Sequence, residues 1–200
     1  METPRLESIE LISDGWVKKY VLTYRVGDGR MHTYEMASRK GPEALRELLE
    51  NNAAGRQPES ADAICIVART PEDSLVMIRE FRYPLNSWCI AFPAGLVETG
   101  EDLVVCADRE LREETGYAIA PDTEPRLLPQ AGYSSTGMTD ETVQVVYVDA
   151  VKVGEPHTEE NELIEVFELP IAEVDEFIRA NTTPIGTRAQ LVLEAFCKGD

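Results

Sequence analysis

The chain has 200 residues, 43% of them apolar, which is enough for one ordinary domain with a small appendage and excludes a disordered polymer. Its formal net charge is −18, from 37 acidic against 19 basic residues. No Lys/Arg run supplies a basic surface, so a duplex or RNA partner is excluded and an anionic membrane surface is disfavoured; an anionic small substrate remains open if metal ions mediate the contact.

In chain order, the acidic N-terminus "METPRLESIELISDG" lacks the apolar run of a signal peptide. "WVKKYVLTYRV" (16–26) reads as a strand, "GDGR" as a hairpin turn and "MHTYEM" as a second strand. "PEALRELLENN" (42–52) has Pro42 at its start and Ala44, Leu45, Leu48 and Leu49 at helical spacing. "AAGRQPESAD" has the composition of a linker, which predicts an N-terminal β-subdomain over 1–57 and a main domain over 58–200. "AICIVA" and "LVMIREF" are short apolar runs suited to buried strands, and "WCIAFPAG" gives another, ended by Pro93 and Gly95. An acidic helix follows over 102–115. "PRLLPQ" predicts a short strand before a polar loop, "TVQVVYVDA" (142–150) a long strand, and "VFEL" a strand after a charged loop. "PIAEVDEFIRAN" and "TRAQLVLEAFCKG" close the chain as amphipathic helices. Mixed strands and helices argue an α/β or α+β fold with a largely buried sheet. Cys65, Cys89, Cys106 and Cys197 show no metal-binding spacing and sit in apolar surroundings, so free thiols in a reducing cytoplasm are expected. No stretch approaches the ~20 apolar residues of a membrane span.

The stretch from Gly95 to Tyr117 holds Glu98, Glu101, Asp102, Asp108, Glu110, Glu113 and Glu114 against only Arg109 and Arg112. On a helix, a step of about 100° per residue places Glu110, Glu113 and Glu114 in one sector, beside an apolar stripe of Leu103, Ala107 and Leu111. A solvated face usually interleaves lysine at i+4, and this one does not. Two readings stand on spacing alone: a polar surface helix, or carboxylates gathered for a hard divalent cation such as Mg²⁺.

Gly95, five residues, Glu101, seven residues, then "RELREETGY" resembles the Nudix box, G-x5-E-x7-R-E-U-x-E-E-x-G-U with U aliphatic or aromatic; every fixed position is filled. The resemblance implies an α/β/α sandwich around a mixed sheet and metal-dependent hydrolysis of a nucleoside diphosphate linked to another group. It implies two or three Mg²⁺ or Mn²⁺ ions held by Glu110, Glu113 and Glu114, with the Ala94 carbonyl as a further ligand. Arg109 is implied to orient a glutamate, and Glu101 to anchor the loop or join the metal site through water.

The region 1–57 resembles the N-terminal sheet of the ADP-ribose pyrophosphatase branch, where two subunits build the site jointly, so a homodimer is implied. By position Trp16 resembles a base-stacking aromatic, and Arg39 and Arg82 resemble substrate-binding arginines. After the box the branch typically carries Pro-Gly and then a glutamate; here stand Thr136, Gly137 and Glu141, so Glu141 fits while the missing proline leaves the sugar open. Residues 40–60 are longer than the branch leads one to expect. The late loop "TEENELIEV" places Glu160 at the position of a general base, with Glu159 and Glu162 as alternatives. The implied substrate is ADP-ribose or a related nucleotide sugar. Other readings are another nucleotide sugar such as UDP-glucose or GDP-mannose, or a nucleotide sensor without catalysis, although sensors usually lose a box glutamate and this chain has lost none.

Overall fold

The computed structural model describes residues 3–56 and 60–197. In chain order the strands and helices are β1 (Arg5–Ser13), β2 (Lys18–Arg25), β3 (Met31–Ser38), α1 (Pro42–Ala53), β4 (Ala63–Arg69), β5 (Ser74–Arg82), β6 (Ser87–Ala91), β7 (Ala94–Leu96), α2 (Leu103–Thr115), β8 (Tyr117–Ile119), β9 (Arg126–Leu127), β10 (Gly132–Tyr133), β11 (Thr142–Lys152), β12 (Ile164–Pro170), α3 (Val174–Ala180) and α4 (Thr187–Glu194). The chain divides into two compact units: residues 1–62 with 131–143, and residues 63–130 with 144–200. The boundary expected between residues 57 and 58 lies outside the described residues.

In the first unit β1, β2 and β3 form an antiparallel sheet in that order. The β2–β3 hairpin closes through Gly29, whose φ of 80° is costly for a residue with a Cβ. Strand β1 is absent from the sequence reading for a physical reason. Register shifts between Leu6 and Ser8 and between Leu11 and Ser13 break the two-residue period that marks a strand. Helix α1 occupies most of the long 40–60 segment, with proline at its start, and buries Leu45 against Tyr20 and Leu22. The Tyr20 hydroxyl donates to the Lys40 carbonyl at 2.9 Å, so this buried ring keeps a polar partner. Residues 131–143 return to the same unit: β10 pairs with Thr142 and Val143, and the Ala37 N–H donates to the Met138 carbonyl at 2.9 Å.

In the second unit the sheet order is β11-β4-β5-β12, with β6 on β5, β7 on β4, and β8 and β9 on β11. Alternation along β4 fixes the layers. Ile64, Ile66 and Ala68 meet Cys106, Ala107 and Leu111 of α2, together with Val146 and Val148 of β11. Cys65, on the other face, lies beside Arg188 of α4, and burial pushes its thiol up to about 11. Helix α4 also packs on β6 and α3. Helices therefore cover both faces of a mixed sheet, and the first unit carries a small antiparallel sheet: the α/β/α arrangement that the box implied. The expected single strand "WCIAFPAG" is two strands, because Pro93 has no N–H for the ladder and its carbonyl instead accepts from Ile66 N at 2.8 Å.

Candidate active site

Helix α2 is held at both ends. The Asp102 carboxylate accepts from Val104 N at 2.9 Å and Val105 N at 3.2 Å, an N-cap worth about 1 kcal/mol. Gly116, at φ 72°, ends the helix in the left-handed conformation, and a Cβ there would lie 2.3 Å from the Gly154 carbonyl oxygen. With Cys106, Ala107 and Leu111 locked into the core, the carboxylates on the neighbouring edge of the helix have a fixed azimuth.

Glu114 is the deepest of them, at 6% exposure. Its Oε2 accepts from Ala94 N at 3.1 Å. Burial pushes its carboxyl up to about 9, and Glu80, Glu110 and Glu162 add to the rise against the Ala94 hydrogen bond. Glu110 is also raised, mainly by burial and further by Glu113 and Glu162, while Arg109 opposes. Gly95 sits against the end of that side chain: a Cβ at 95 would lie 1.9 Å from Glu110 Cδ. Gly95 does not adopt positive φ, so the glycine is required by the neighbouring carboxylate and not by its own backbone. Gly100, at φ 79°, is the loop glycine that the turn itself demands.

Arg109 is the hub. Its Nε and Nη2 each donate to Glu101 at 2.9 Å, a bidentate pair, and Nη1 donates to Glu110 at 2.8 Å and Glu113 at 3.3 Å. Nη2 also reaches the Leu96 carbonyl at 3.3 Å, which ties α2 to β7. These bonds hold the Glu101 carboxyl down at about 2, and Glu101 in turn accepts from Glu98 N at 3.0 Å to fix the loop. Arg109 and Glu101 are therefore a structural pair beside the carboxylates.

The loop after β11 is pinned to the same region. Val153 N and Gly154 N donate to the Gly116 carbonyl, His157 N donates to the Glu113 carbonyl at 2.7 Å, and the Tyr83 hydroxyl donates to Asn161 O at 3.2 Å. Glu159, Glu160 and Glu162 of this loop are all exposed, and the Glu162 carboxylate accepts from Glu159 N at 3.1 Å. The charge of Glu162 adds to the rise of the Glu80, Glu110 and Glu114 carboxyls. Glu80, on β5, was not anticipated from the sequence. It pairs with Arg82 at 2.7 Å, and burial raises its carboxyl. The i, i+2 spacing of Glu80 and Arg82 on one strand face is the signal that would have revealed it. The Arg82 side chain is 51% exposed.

In the first unit Arg39 and Glu141 come together at 2.8 Å. Trp16, between β1 and β2, is 76% exposed; its neighbour Val17 lines a cavity of ≈ 170 Å³ shared with Arg39 and Glu141. Thr136 lies in a turn closed without proline, by Met138 N and Thr139 N donating to the Ser135 carbonyl at 3.0 Å.

Among the described residues no three His, Cys, Asp or Glu side chains converge closely enough to hold a metal ion as they stand. The chemistry of the donor set nevertheless fits a hard divalent cation. Glu110, Glu113 and Glu114 offer oxygen ligands within one turn of helix, and the charges acting on buried Glu114 are all negative.

The NUDIX domain family model matches residues 59–188. The chain belongs to the Nudix family. It is 34% identical over 173 residues to the ADP-sugar pyrophosphatase of Mus musculus, covering 82% of this chain and 72% of that one. It is 35% identical over 128 residues to the ADP-ribose pyrophosphatase of Bacillus subtilis, covering 62% and 67%. A solved structure titled as an ADP compounds hydrolase superposes with a TM-score of 0.73 at 18% identity, covering 97% of this chain and 92% of that one, which shows the shared fold. The Nudix match contains every box residue from Gly95 to Tyr117 and the three loop candidates, Glu159, Glu160 and Glu162. No helix of the described residues is long and apolar enough to cross a membrane.

Proposed function

We propose that this Nudix hydrolase cleaves the pyrophosphate of ADP-ribose, or of a closely related nucleoside diphosphate sugar, to a nucleoside monophosphate and a sugar phosphate. The names of the mouse and Bacillus relatives support that substrate class. The observation that carries catalysis is buried Glu114, fixed by Ala94 N and surrounded by the charges of Glu80, Glu110 and Glu162. Arg109 and Arg82 offset Glu110 and Glu80, but buried Glu114 has only the Ala94 N–H, a concentration of negative charge suited to divalent cations that enter with the substrate.

Glu110, Glu113 and Glu114, with the Ala94 carbonyl, would hold two or three Mg²⁺ or Mn²⁺ ions. When bound, the ions neutralise charge on the phosphoryl oxygens and lower the pKa of a coordinated water. Arg109 holds Glu110 and Glu113 in place and Glu101 holds Arg109. Arg82, oriented by Glu80, offers its guanidinium to a phosphate oxygen. Glu160, on the pinned loop, would take the proton from the attacking water as general base, with Glu159 and Glu162 beside it as alternatives. In the first unit, Trp16 stacks on the base, and Arg39 and Glu141 bind the substrate. That unit exposes Leu11, Ile12, Trp16 and Val17 around the connection from β1 to β2, apolar surface that supports a homodimer with a shared site. Four free cysteines suit a reducing cytoplasm.

The test is phosphate release through a coupled phosphatase, with and without Mg²⁺, on ADP-ribose, UDP-glucose, GDP-mannose and dinucleoside polyphosphates. Metal-dependent turnover with ADP-ribose preferred, and loss of most turnover in Glu114→Gln at fixed Mg²⁺, is the expected result. Binding without hydrolysis would instead establish a nucleotide sensor, and wild-type turnover in Glu114→Gln would remove Glu114 from the ligand set.

A further inference from the structure

Two segments of the first unit, residues 37–40 and 138–142, run side by side and are joined by one backbone rung and two charged rungs. The backbone rung is Ala37 N to Met138 O at 2.9 Å, beside a parallel bridge between Ala37 and Thr139. The charged rungs are Arg39 to Glu141 at 2.8 Å and Lys40 to Asp140 at 3.2 Å. Lys40 has a second anion: its Nζ lies 2.5 Å from Asp62 Oδ1. Asp62 in turn accepts from Thr142 N at 2.9 Å and from the Thr142 hydroxyl at 3.0 Å through its other oxygen. The Lys40 backbone is also fixed, its N–H donating to Ser38 Oγ at 3.0 Å and its carbonyl accepting from Tyr20. Asp140 is buried. Its Oδ2 has no aligned hydrogen-bond donor among the described residues, so the Lys40 charge at 3.2 Å is what compensates it.

We propose that Lys40, clamped between Asp62 and Asp140, is a positioning residue that sets Arg39 and Glu141 as a pair for substrate binding. The inference rests on the reading of Arg39 and Glu141 as substrate-binding residues. Each member of that pair is covalently next to a member of the buried clamp: Arg39 to Lys40, and Glu141 to Asp140. Arg39 and Glu141 are themselves partly solvated, so a surface ion pair alone would hold them loosely. The clamp removes that freedom. Without the Lys40 charge, the charged rung from residue 40 to the 138–142 segment is lost and buried Asp140 is left without a compensating cation, which loosens the hold of residues 37–40 on that segment.

The experiment measures KM and kcat for ADP-ribose at saturating Mg²⁺ in wild type, Arg39→Ala, Lys40→Met, Lys40→Arg and Asp140→Asn, with melting temperature recorded for each. Lys40→Met is expected to raise KM about tenfold with kcat within about twofold, the signature of lost substrate binding. Lys40→Arg, which keeps the charge, is expected to bring KM back to within about threefold of wild type. Asp140→Asn removes one anion and leaves the Asp62 contact, so it tests the same clamp in a folded chain should Lys40→Met not fold; its KM is expected to rise in the same direction. If Arg39→Ala raises KM while Lys40→Met and Asp140→Asn leave it within about twofold of wild type, the clamp has no positioning role and the inference is overturned, with the substrate-binding reading intact. If Arg39→Ala itself leaves KM unchanged, the underlying reading fails and takes the inference with it. Equal losses of kcat and stability in Lys40→Met and Lys40→Arg would mark a purely structural lysine and also overturn it.

Discussion

Replacing Gly95 by alanine isolates the geometry of Glu110. The new Cβ would fall 1.9 Å from Glu110 Cδ and 2.1 and 2.4 Å from its two oxygens. Carbon atoms in contact sit at about 3.5 Å, so the carboxylate has to retreat by about 1.6 Å. The obstacle is the end of a flexible side chain and the Gly95 backbone is not at positive φ, so the fold accepts the change at a cost on the order of 1 kcal/mol or less. Catalysis does not: displacement of a reacting group by about 1 Å costs roughly a hundredfold. The expected outcome is a melting temperature within a few degrees of wild type and turnover of ADP-ribose lower by about two orders of magnitude, read by coupled phosphate release. Glu110→Asp withdraws the carboxylate by about 1.5 Å, one carbon–carbon bond, so adding Gly95→Ala to it should cost less than about threefold. Near-wild-type turnover in folded Gly95→Ala, or full additivity of the two changes, would refute the claim that this glycine exists to make room for Glu110.

Glu160→Gln should lose about a hundredfold or more in kcat while Glu159→Gln and Glu162→Gln stay within severalfold; a larger loss in either neighbour would move the role of base to it. Arg109→Lys keeps the charge but cannot reproduce the bidentate grip on Glu101 together with the contacts to Glu110 and Glu113, so kcat should fall about tenfold, measured at saturating Mg²⁺. Asp62 has its carboxyl lowered from 3.8: burial raises it, but Lys40 and Thr142 together win. A depressed folded value contributes stability that is fully present above 3.8 and is lost as pH falls through the depressed value, so the stability advantage of wild type over Lys40→Met, measured by urea unfolding followed by circular dichroism, should shrink as pH falls below 3.8.

The acidic helix was legible because its demands are written into one short stretch. Leu103, Ala107 and Leu111 mark the face turned to the core, so the shared sector of Glu110, Glu113 and Glu114 follows from the helical repeat alone. Pairings across long stretches of chain were not legible. Nothing local in residues 131–143 says that Asp62 will bind Thr142 or that Tyr133 will donate to Asn52. Strand β1 hid behind its bulges. Glu159, Glu160 and Glu162 lie on a loop, which has no repeat from which the direction of a side chain can be computed. Glu80 was hidden differently: within "LVMIREF" it counts as one polar position in a strand, and only its pairing with Arg82 and the influence of Glu162 give it meaning.

Helix α2 presents its core stripe and its acidic edge on adjoining sides of one rigid rod. Turning the rod far enough to shift the glutamates would tear Leu111 and Ala107 from their sockets, so the accuracy of the chemistry is borrowed from the tightness of the hydrocarbon packing. Wear in that packing should therefore surface as slowed turnover alongside lost stability: a cavity cut at Leu111 would unsettle the glutamates on the adjoining edge while costing the fold about 2–5 kcal/mol.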